Sequence, residues 1–319
     1  MLMSVIIVLV LIFAFRTYLR MTKQMCDQNV SMVGRVVIVT GANSGIGFQT
    51  AKDLARRGAR VILGCRSVDR GTKARDEIIS VTNNKNVVFK QIDLSSLRSV
   101  REFAKDIIET ENELHVLINN AGMFSSEKSY TEDGIDTVMQ VNYFGPFLLT
   151  RLLLPLLKKS QPSRIVNVSS IFNLFGTINF KDDNHKSFYN GILTYCNSKL
   201  CNLIFTIELS ERLRDTGVVV NAVHPGIILT NITNGCSNLL YRVGFAVLCW
   251  FNNLTDEDGA QTPLHLATSD IGGNATGKFF INCSESSLVS PKTRNEVLRK
   301  KLWEHSNKLI RFDESSVQL

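Results

Sequence analysis

The chain has 319 residues, of which 44% are apolar and 20% are charged, and its formal net charge is +7. These values predict a globular protein with one large domain or two small ones. The basic residues form no block and the seven cysteines form no C-x-x-C pair, so the sequence predicts no nucleic-acid binding, no disulfide framework and no bound metal. The positive charge would suit an anionic cofactor or an anionic membrane face.

The N-terminus is apolar through Phe15, and the basic residues Arg16, Arg20 and Lys23 follow. The apolar run is shorter than the roughly 20 residues that span a bilayer, although the next few residues can extend the helix to the interface. A signal peptide would carry its charge before the run and a small-residue cleavage site after it. We therefore predict an uncleaved membrane anchor over residues 1–22 that holds the rest of the chain in the cytosol. A helix that packs on the domain is the alternative.

From Gly34 onward, short apolar runs alternate with segments of helical length. This alternation predicts parallel strands joined by helical crossovers that cover both faces of a sheet. The predicted strands are 35–40, 59–64, 86–92, 114–120, 164–170, 217–223 and 277–283, and the main predicted helices are 44–57, 96–109, 133–159 and one that carries Tyr195. We predict an α/β fold, a single Rossmann-type doubly wound domain with a seven-stranded parallel sheet over residues 34–285. A tail over 286–319, with one surface helix, completes the chain.

The motif T-G-A-N-S-G-I-G follows the first predicted strand directly. Its glycines allow a tight turn and the close approach of a pyrophosphate, and the next helix offers N–H groups and its positive dipole end. Glycines near a turn often serve the turn alone, but this position between the first strand and first helix favours a dinucleotide site. The predicted cofactor-binding residues here are Gly41, Ala42, Asn43, Ser44, Gly45, Ile46 and Gly47.

The second predicted strand leads into Arg66, where sheets that prefer NAD usually carry an acidic residue. A guanidinium suits the 2′-phosphate of NADP(H), so NADP(H) is the predicted cofactor. The alternative is a surface arginine beside Arg70. Asp93, after the third strand, can accept a hydrogen bond from the adenine amine or can cap the helix that begins near Ser95.

Further motifs follow in the order N-N-A-G at 119–122, a serine after the fifth strand, Y-x-x-x-K at 195–199 and P-G at 225–226. Together with the glycine motif, this combination resembles the short-chain dehydrogenase/reductase family over about residues 34–285. The stretches GRVVIVTGANSGIG, NVSS and YCNSKLCN are most similar to the membrane-anchored retinol dehydrogenase group. The resemblance implies an oxidoreductase, a membrane such as the endoplasmic reticulum with the catalytic domain facing the cytosol, and a homodimer through helices near 133–159 and 195–214.

Tyr195 and Lys199 are four residues apart, so both side chains can lie on one helix face and point into a cleft at the strand ends. A neighbouring ammonium and the positive nicotinamide ring are expected to lower the pKa of the Tyr195 phenol. Tyr195 can then donate a proton to a carbonyl oxygen or remove one from an alcohol. Tyr195 and Lys199 are also predicted to be cofactor-binding residues. An ordinary amphipathic pair is the alternative interpretation.

The resemblance implies roles for four more positions. It matches Ser170 to the serine that binds the substrate oxygen, although the adjacent Ser169 is an alternative. Asn142 matches the asparagine that bends its helix and holds a water leading to the lysine, or it is a buried amide that satisfies backbone groups. Asn119 is expected to shape the floor beneath the cofactor, and Thr230 to contact the nicotinamide carboxamide or to cap a helix.

Two segments are expected to contact the substrate. Residues 171–193 form a long insertion between Ser170 and Tyr195 that is predicted to rim the entrance. Residues 237–254 are apolar and aromatic, which predicts either a lid that admits a lipid-like substrate from the bilayer or a core helix. The favoured substrate is a retinoid, with retinal reduction to retinol as the specific hypothesis. A lipid aldehyde or a sterol in a hydroxysteroid dehydrogenase, and a catalytically silent dinucleotide-binding scaffold, are the alternatives.

Overall fold

A computed structural model describes residues 16–17, 22–27, 29–180, 190–228, 239–252 and 254–312. Its centre is an eight-stranded sheet in the order β3-β2-β1-β4-β5-β6-β7-β8. The neighbouring strands from β3 through β7 are parallel, whereas β7 and β8 are antiparallel. The strands are β1 (Val36–Thr40), β2 (Arg60–Cys65), β3 (Val87–Gln91), β4 (Val116–Asn119), β5 (Ser163–Val168), β6 (Val218–His224), β7 (Phe279–Ile281) and β8 (Ser284–Glu285).

The helices follow the strands as crossover connections. They are α1 (Gly45–Arg56), α2 (Val68–Thr82), α3 (Leu97–Thr110), α4 (Thr137–Met139), α5 (Gly145–Lys159), α6 (Gly191–Arg212), α7 (Leu239–Asn252), α8 (Asp256–Thr268), α9 (Asp270–Asn274) and α10 (Glu296–Leu309). A π-helical segment, Gln140–Phe144, joins α4 to α5, and 3₁₀ helices cover Ile171–Phe175 and Pro291–Arg294. The predicted doubly wound α/β fold is thereby confirmed.

The core lies on both faces of the sheet because neighbouring residues of a strand point to opposite sides. In β1, Ile38 packs into the cluster formed with α3, α5, α6 and α10, whereas Val37 and Val39 pack into the cluster formed with α1 and α8. Strands that are buried on both faces need continuous apolar sequence. This requirement explains why the runs of valine and isoleucine predicted the strands.

The C-terminal helix α10 is present where a surface helix was predicted, but one side of it enters the core. Trp303 is only 2% exposed and its ring lies edge-on to Phe147 of α5, 5.3 Å away between centroids. The ring also lies 6.1 Å from that of Phe205 of α6. Helix α10 therefore covers part of the surface through which the resemblance implies a homodimer. A dimer through α5 and α6 would need another part of these helices.

Four elements depart from the sequence prediction. The prediction of seven strands omitted β8, which has only two residues and no readable pattern. The predicted continuous helix over 133–159 is instead interrupted by the π-helical segment. Helices α8 and α9 were not predicted.

The predicted membrane anchor, residues 1–22, lies outside the described residues except for positions 16–17 and 22. Among the helices that the structure describes, none is both long enough and apolar enough to cross a bilayer.

Candidate active site

A cavity of about 570 Å³ opens at the carboxyl ends of the parallel strands. It lies at the point where the strand order reverses between β1 and β4, which is the usual ligand site of an open α/β sheet. Its lining includes six of the seven predicted residues of the glycine motif, Gly41, Asn43, Ser44, Gly45, Ile46 and Gly47. The seventh, Ala42, is fully buried in the core below the cavity.

The glycine motif makes close backbone contacts that side chains would prevent. Gly41 has a φ of +68°, and a Cβ atom there would lie 2.9 Å from the Cα of Ala121. A Cβ atom on Gly47 would lie 2.3 Å from Nδ2 of Asn120 and 2.6 Å from the carbonyl oxygen of Gly41. Asn120 in turn donates a 2.8 Å hydrogen bond to the carbonyl oxygen of Thr40. The N-N-A-G segment therefore packs against the glycine turn and stabilises it.

The start of α1 offers hydrogen-bond donors to an anion. Among the described contacts, Ser44 at the N-cap position makes no side-chain capping bond, and the first turn of α1 contains no acidic residue. N–H groups at a helix N-terminus and the positive end of its dipole favour a phosphate. The backbone here consequently fits the diphosphate of a dinucleotide.

We expect Gly47→Ala to weaken binding of the dinucleotide. The added methyl group would have to displace both the Asn120 side chain and the Gly41 carbonyl, and such overpacking costs about 1–3 kcal/mol. Because the displaced groups shape the glycine turn, the Kd for NADPH should rise by about tenfold or more. Fluorescence titration with NADPH would measure this. Gly244→Ala is the matched control, since a Cβ atom there has open space, and unchanged affinity in both variants would contradict the assignment.

The two predicted cofactor residues that follow β2 and β3, Arg66 and Asp93, both line the cavity. Arg66 follows β2 and is exposed, and Arg70 lies one turn later on α2. Asp93 also lines the cavity, and its carboxylate accepts hydrogen bonds from the backbone N–H and the hydroxyl of Ser95, at 2.9 and 2.6 Å. The carboxylate therefore holds the turn before α3, whereas Ser96 is the N-cap of that helix.

The predicted serine, tyrosine and lysine meet at the other end of the cavity. Tyr195 and Lys199 lie on α6, with the Lys199 Nζ 5.5 Å from the centre of the Tyr195 ring. Ser170, at the end of β5, forms a side-chain hydrogen bond with Tyr195. Lys199 is 3% exposed, and its ammonium donates a 3.0 Å hydrogen bond to the carbonyl oxygen of Val168. Strand β5 and helix α6 thus hold these three groups at one wall of the cavity.

The expected lowering of the Tyr195 pKa is wrong for the protein alone. Burial raises the pKa of Tyr195 above its usual range, and the hydrogen bond with Ser170 opposes this only in part. Burial also lowers the pKa of Lys199 to about 8. Desolvation disfavours the charged form of each group. Tyr195 is therefore a protonated phenol at neutral pH.

Asn142 lies in the π-helical segment, where the resemblance expects a bent helix. Its Oδ1 accepts a 2.7 Å hydrogen bond from the Met123 N–H, and its Nδ2 donates to the Met123 carbonyl and to Ser198 Oγ at 2.9 and 3.0 Å. Its own carbonyl accepts a 3.0 Å bond from Nδ2 of Asn202. The buried-amide interpretation therefore holds, and the amide connects Met123, the residue that follows N-N-A-G, to α6.

The remaining predicted residues have distinct positions. Ser169 donates a 2.7 Å hydrogen bond to the Lys199 carbonyl, so it orients α6, whereas Ser170 is the serine that bonds Tyr195. Asn119 does not line the cavity but donates to Thr150 and Asn167, both at 2.9 Å, which agrees with a role beneath the floor. Thr230 lies outside the described residues.

His224 was missed by the sequence analysis. It ends β6, directly before the P-G motif, and lines the cavity. Its Nδ1 is buried without a hydrogen-bond partner among the described residues. Burial and the nearby charge of Lys199 lower its pKa to about 4, so the imidazole is neutral. A titratable residue next to P-G at a strand end was the available signal.

Aromatic side chains enclose the reactive end. The rings of Phe124 and Phe172 lie edge-on to the Tyr195 ring, with centroids 6.2 Å away in each case. Phe172 comes from the insertion that was predicted to rim the entrance, of which residues 181–189 lie outside the described part. Phe245 of α7 lines the same cavity, which favours the lid interpretation of that segment. The wall around Tyr195 is apolar and suits an apolar substrate.

Comparison with known proteins agrees with this geometry. Residues 35–238 match the family model for short chain dehydrogenases. The chain is 44% identical to mouse (Mus musculus) retinol dehydrogenase 11 and 43% identical to bovine (Bos taurus) retinol dehydrogenase 12, with 89% of each chain covered in both comparisons.

Solved structures share the fold. An uncharacterized protein from Mycobacterium Paratuberculosis is 32% identical with a TM-score of 0.72, covering 89% of this chain and 96% of that one. The Pseudomonas aeruginosa RhlG/NADP complex is 25% identical with a TM-score of 0.64, covering 79% and 95%. This chain therefore belongs to the short-chain dehydrogenase family, is most like its retinol dehydrogenases, and is an oxidoreductase that uses a nicotinamide dinucleotide.

Proposed function

We propose that this protein is an NADP(H)-dependent oxidoreductase that interconverts a hydrophobic alcohol and its carbonyl compound, with retinol and retinal as the substrate pair. The main observation behind the proposal is that Ser170, Tyr195 and Lys199 lie together at an aromatic wall of the cavity. The glycine motif lines the other end of the same cavity. This placement requires a substrate oxygen to approach the Tyr195 hydroxyl within apolar surroundings.

The residues can divide the work of carbonyl reduction. The bound nicotinamide supplies the hydride. Tyr195 keeps its proton at neutral pH and can donate it to the carbonyl oxygen as negative charge develops there. The Ser170 hydroxyl lies beside Tyr195, and its one proton can turn toward the same oxygen as a hydrogen-bond donor. Lys199 is held by Val168, so its positive charge stays beside the site and stabilises the developing anion.

The charges along the cavity favour NADP(H) over NAD(H). The charged residues among its described lining are Arg66, Arg70, Lys199 and one carboxylate, Asp93. Two of the three cations lie after β2, where the ribose 2′ position is expected. The carboxylate is engaged by Ser95. A 2′-phosphate would therefore meet guanidinium groups at this end of the cavity.

We expect Arg66→Asp to reverse the cofactor preference from NADPH to NADH. The substitution removes a partner of the 2′-phosphate and supplies an acceptor for a 2′-hydroxyl. A charged hydrogen bond contributes about 1.5–3 kcal/mol, so the ratio of kcat/KM values should shift by roughly 10- to 100-fold. The control is Arg75→Asp, because Arg75 lies on the helix that follows Arg66 but pairs with Asp76 outside the cavity. An unchanged ratio in the Arg66 variant would exclude its proposed role.

The retinoid assignment is supported by the relatives and by the aromatic wall. The compared relatives are named for retinol, and Phe124, Phe172 and Phe245 offer apolar surface near Tyr195. Long apolar substrates gain most from such surface because each buried methylene contributes about 0.8 kcal/mol.

A substrate panel tests the proposed function. The purified full chain would be assayed with retinal, a long-chain aldehyde and a steroid ketone, each with NADPH and with NADH. We expect the highest kcat/KM for retinal with NADPH. Preference for the steroid would instead identify a hydroxysteroid dehydrogenase. Cofactor binding without turnover of any compound would indicate a scaffold that binds dinucleotide without catalysis.

We further propose that residues 1–22 anchor the protein in the endoplasmic reticulum membrane, with the catalytic domain in the cytosol. The apolar run through Phe15 and the basic residues after it support this placement. Attachment to a membrane would bring the enzyme to substrates that partition into lipid.

A further inference from the structure

Helix α7 carries an exposed apolar stripe, formed by Val243, Val247 and Trp250. Their exposed fractions are 52%, 49% and 55%. At about 100° per residue, positions separated by four and seven residues fall within about 60° of arc on one side of a helix. Single exposed apolar residues are common on protein surfaces, but an aligned set marks an interaction site. We call this set the α7 stripe.

The opposite side of α7 belongs to the substrate end of the cavity. Phe245 lines the cavity and Cys249 is buried, and these two residues lie one turn apart on the side away from the α7 stripe. The helix therefore separates the cavity from the surroundings of the protein. Whatever contacts the α7 stripe lies only one helix diameter, about 10 Å, from the cavity lining.

The charges around the stripe favour a lipid surface as the partner. The sequence of α7, LLYRVGFAVLCWFN, contains one cation, Arg242, and no acidic residue. The guanidinium of Arg16 lies 4.1 Å from the centre of the Trp250 ring. In the sequence, Arg16 comes directly after the apolar run that ends at Phe15, so the residue that follows this run lies at the α7 stripe. Cations beside tryptophan and aliphatic residues suit the anionic headgroup region of a bilayer.

A second apolar element flanks the same end of the cavity. Within the 3₁₀ helix Ile171–Phe175, Phe172 lines the cavity beside Tyr195, and Phe175 is exposed. The two rings contact each other, with centroids 6.4 Å apart. The insertion thus repeats the arrangement of α7, with one aromatic residue facing the cavity and an apolar neighbour facing outward.

We propose that the α7 stripe lies in the interfacial region of an anionic bilayer, as a contact additional to the N-terminal segment. Hydrophobic substrate then passes between the bilayer and the cavity beside Phe245. The membrane contact stands on the geometry of α7 and Arg16, whereas the passage of substrate rests on the proposed function.

Tryptophan fluorescence of the full chain tests the contact directly. The chain has two tryptophans, and Trp303 is buried in the core. We expect vesicles of phosphatidylcholine and phosphatidylserine with brominated acyl chains to quench Trp250 and to leave Trp303 emission unchanged. The Trp250→Phe variant should lose the quenched component. The proposal would be overturned if the protein floated with the vesicles in a density gradient but Trp250 were not quenched. It would also be overturned if the protein self-associated without lipid and this association shielded Trp250 from solvent.

A double variant, Val243→Glu with Val247→Glu, tests the passage of substrate. Two carboxylates should abolish quenching and lower kcat/KM for vesicle-borne retinal by about tenfold or more, since they oppose both apolar burial and anionic headgroups. Activity with a water-soluble aldehyde and the Kd for NADPH should not change. Val297→Glu is the matched control, because Val297 is an exposed valine on α10.

The outcomes separate the two proposals. Quenching of Trp250 in a protein that reduces no retinoid would leave the membrane contact standing and refute the proposed function. Full activity of the double variant on vesicle-borne retinal would refute the passage beside α7.

Discussion

Replacement of Tyr195 by phenylalanine is expected to lower kcat for retinal reduction by a factor of about 10²–10⁴, the usual contribution of a positioned proton donor. Phenylalanine keeps the ring contacts with Phe124 and Phe172 but removes the hydroxyl that bonds Ser170. The Kd for NADPH should change little, because the glycine motif lies at the other end of the cavity. Steady-state kinetics and a fluorescence titration of the cofactor would measure both quantities.

Tyr143→Phe is the matched control for this experiment. Tyr143 is a buried tyrosine whose hydroxyl lies 2.7 Å from that of Ser306 on α10, away from the cavity. Its loss should cost about 0.5–1.5 kcal/mol of stability and leave kcat unchanged. If the Tyr195 variant retained full kcat, proton donation by Tyr195 would be refuted. If it lost affinity for the cofactor to the same degree as kcat, the phenol would be a binding group instead.

The sequence predicted the parallel sheet because buried parallel strands need continuous apolar runs and crossovers of helical length. It predicted the position of the glycine motif because that motif directly follows a strand of this sheet. Tyr195 and Lys199 were placed at the cavity by their four-residue spacing on one helix face and by the family resemblance. Helix α8 was missed although Thr255 and Asp258 form a capping box at its start. That pattern is a recognisable helix signal, so this omission was avoidable.

Other features depend on contacts that no local pattern contains. The π-helical segment is fixed by Asn142, which bonds the backbone of Met123, and by Gly145, where a Cβ atom would lie 2.7 Å from the Leu94 carbonyl. The burial of Trp303 depends on its meeting with Phe147. The upward shift of the Tyr195 pKa is caused by desolvation, which arises only when several elements pack around the ring.

Lys199→Met is expected to make the cofactor-free protein more stable at neutral pH while nearly abolishing activity. Burial lowers the pKa of Lys199 from 10.5 to about 8, and each pKa unit corresponds to about 1.4 kcal/mol, so the buried ammonium costs about 3 kcal/mol. Methionine avoids that cost but leaves the Val168 carbonyl without its 3.0 Å bond, a loss of about 1 kcal/mol. The free energy of unfolding should therefore rise by about 2 kcal/mol.

The pH dependence of this gain identifies its cause. The unfolded lysine holds its proton up to a pKa of 10.5, whereas folded Lys199 releases it near 8. Between these two pH values the unfolded state of the wild type binds more protons than its folded state. The free energy of unfolding of the wild type therefore rises with pH, whereas Lys199→Met lacks this contribution. Urea unfolding should show the largest advantage of Lys199→Met below pH 8 and a shrinking advantage from 8 toward 10.5. An advantage that is independent of pH would trace the effect to packing. A less stable variant would mean that the Val168 bond outweighs the cost of desolvation, and that the protein holds its charged lysine without strain.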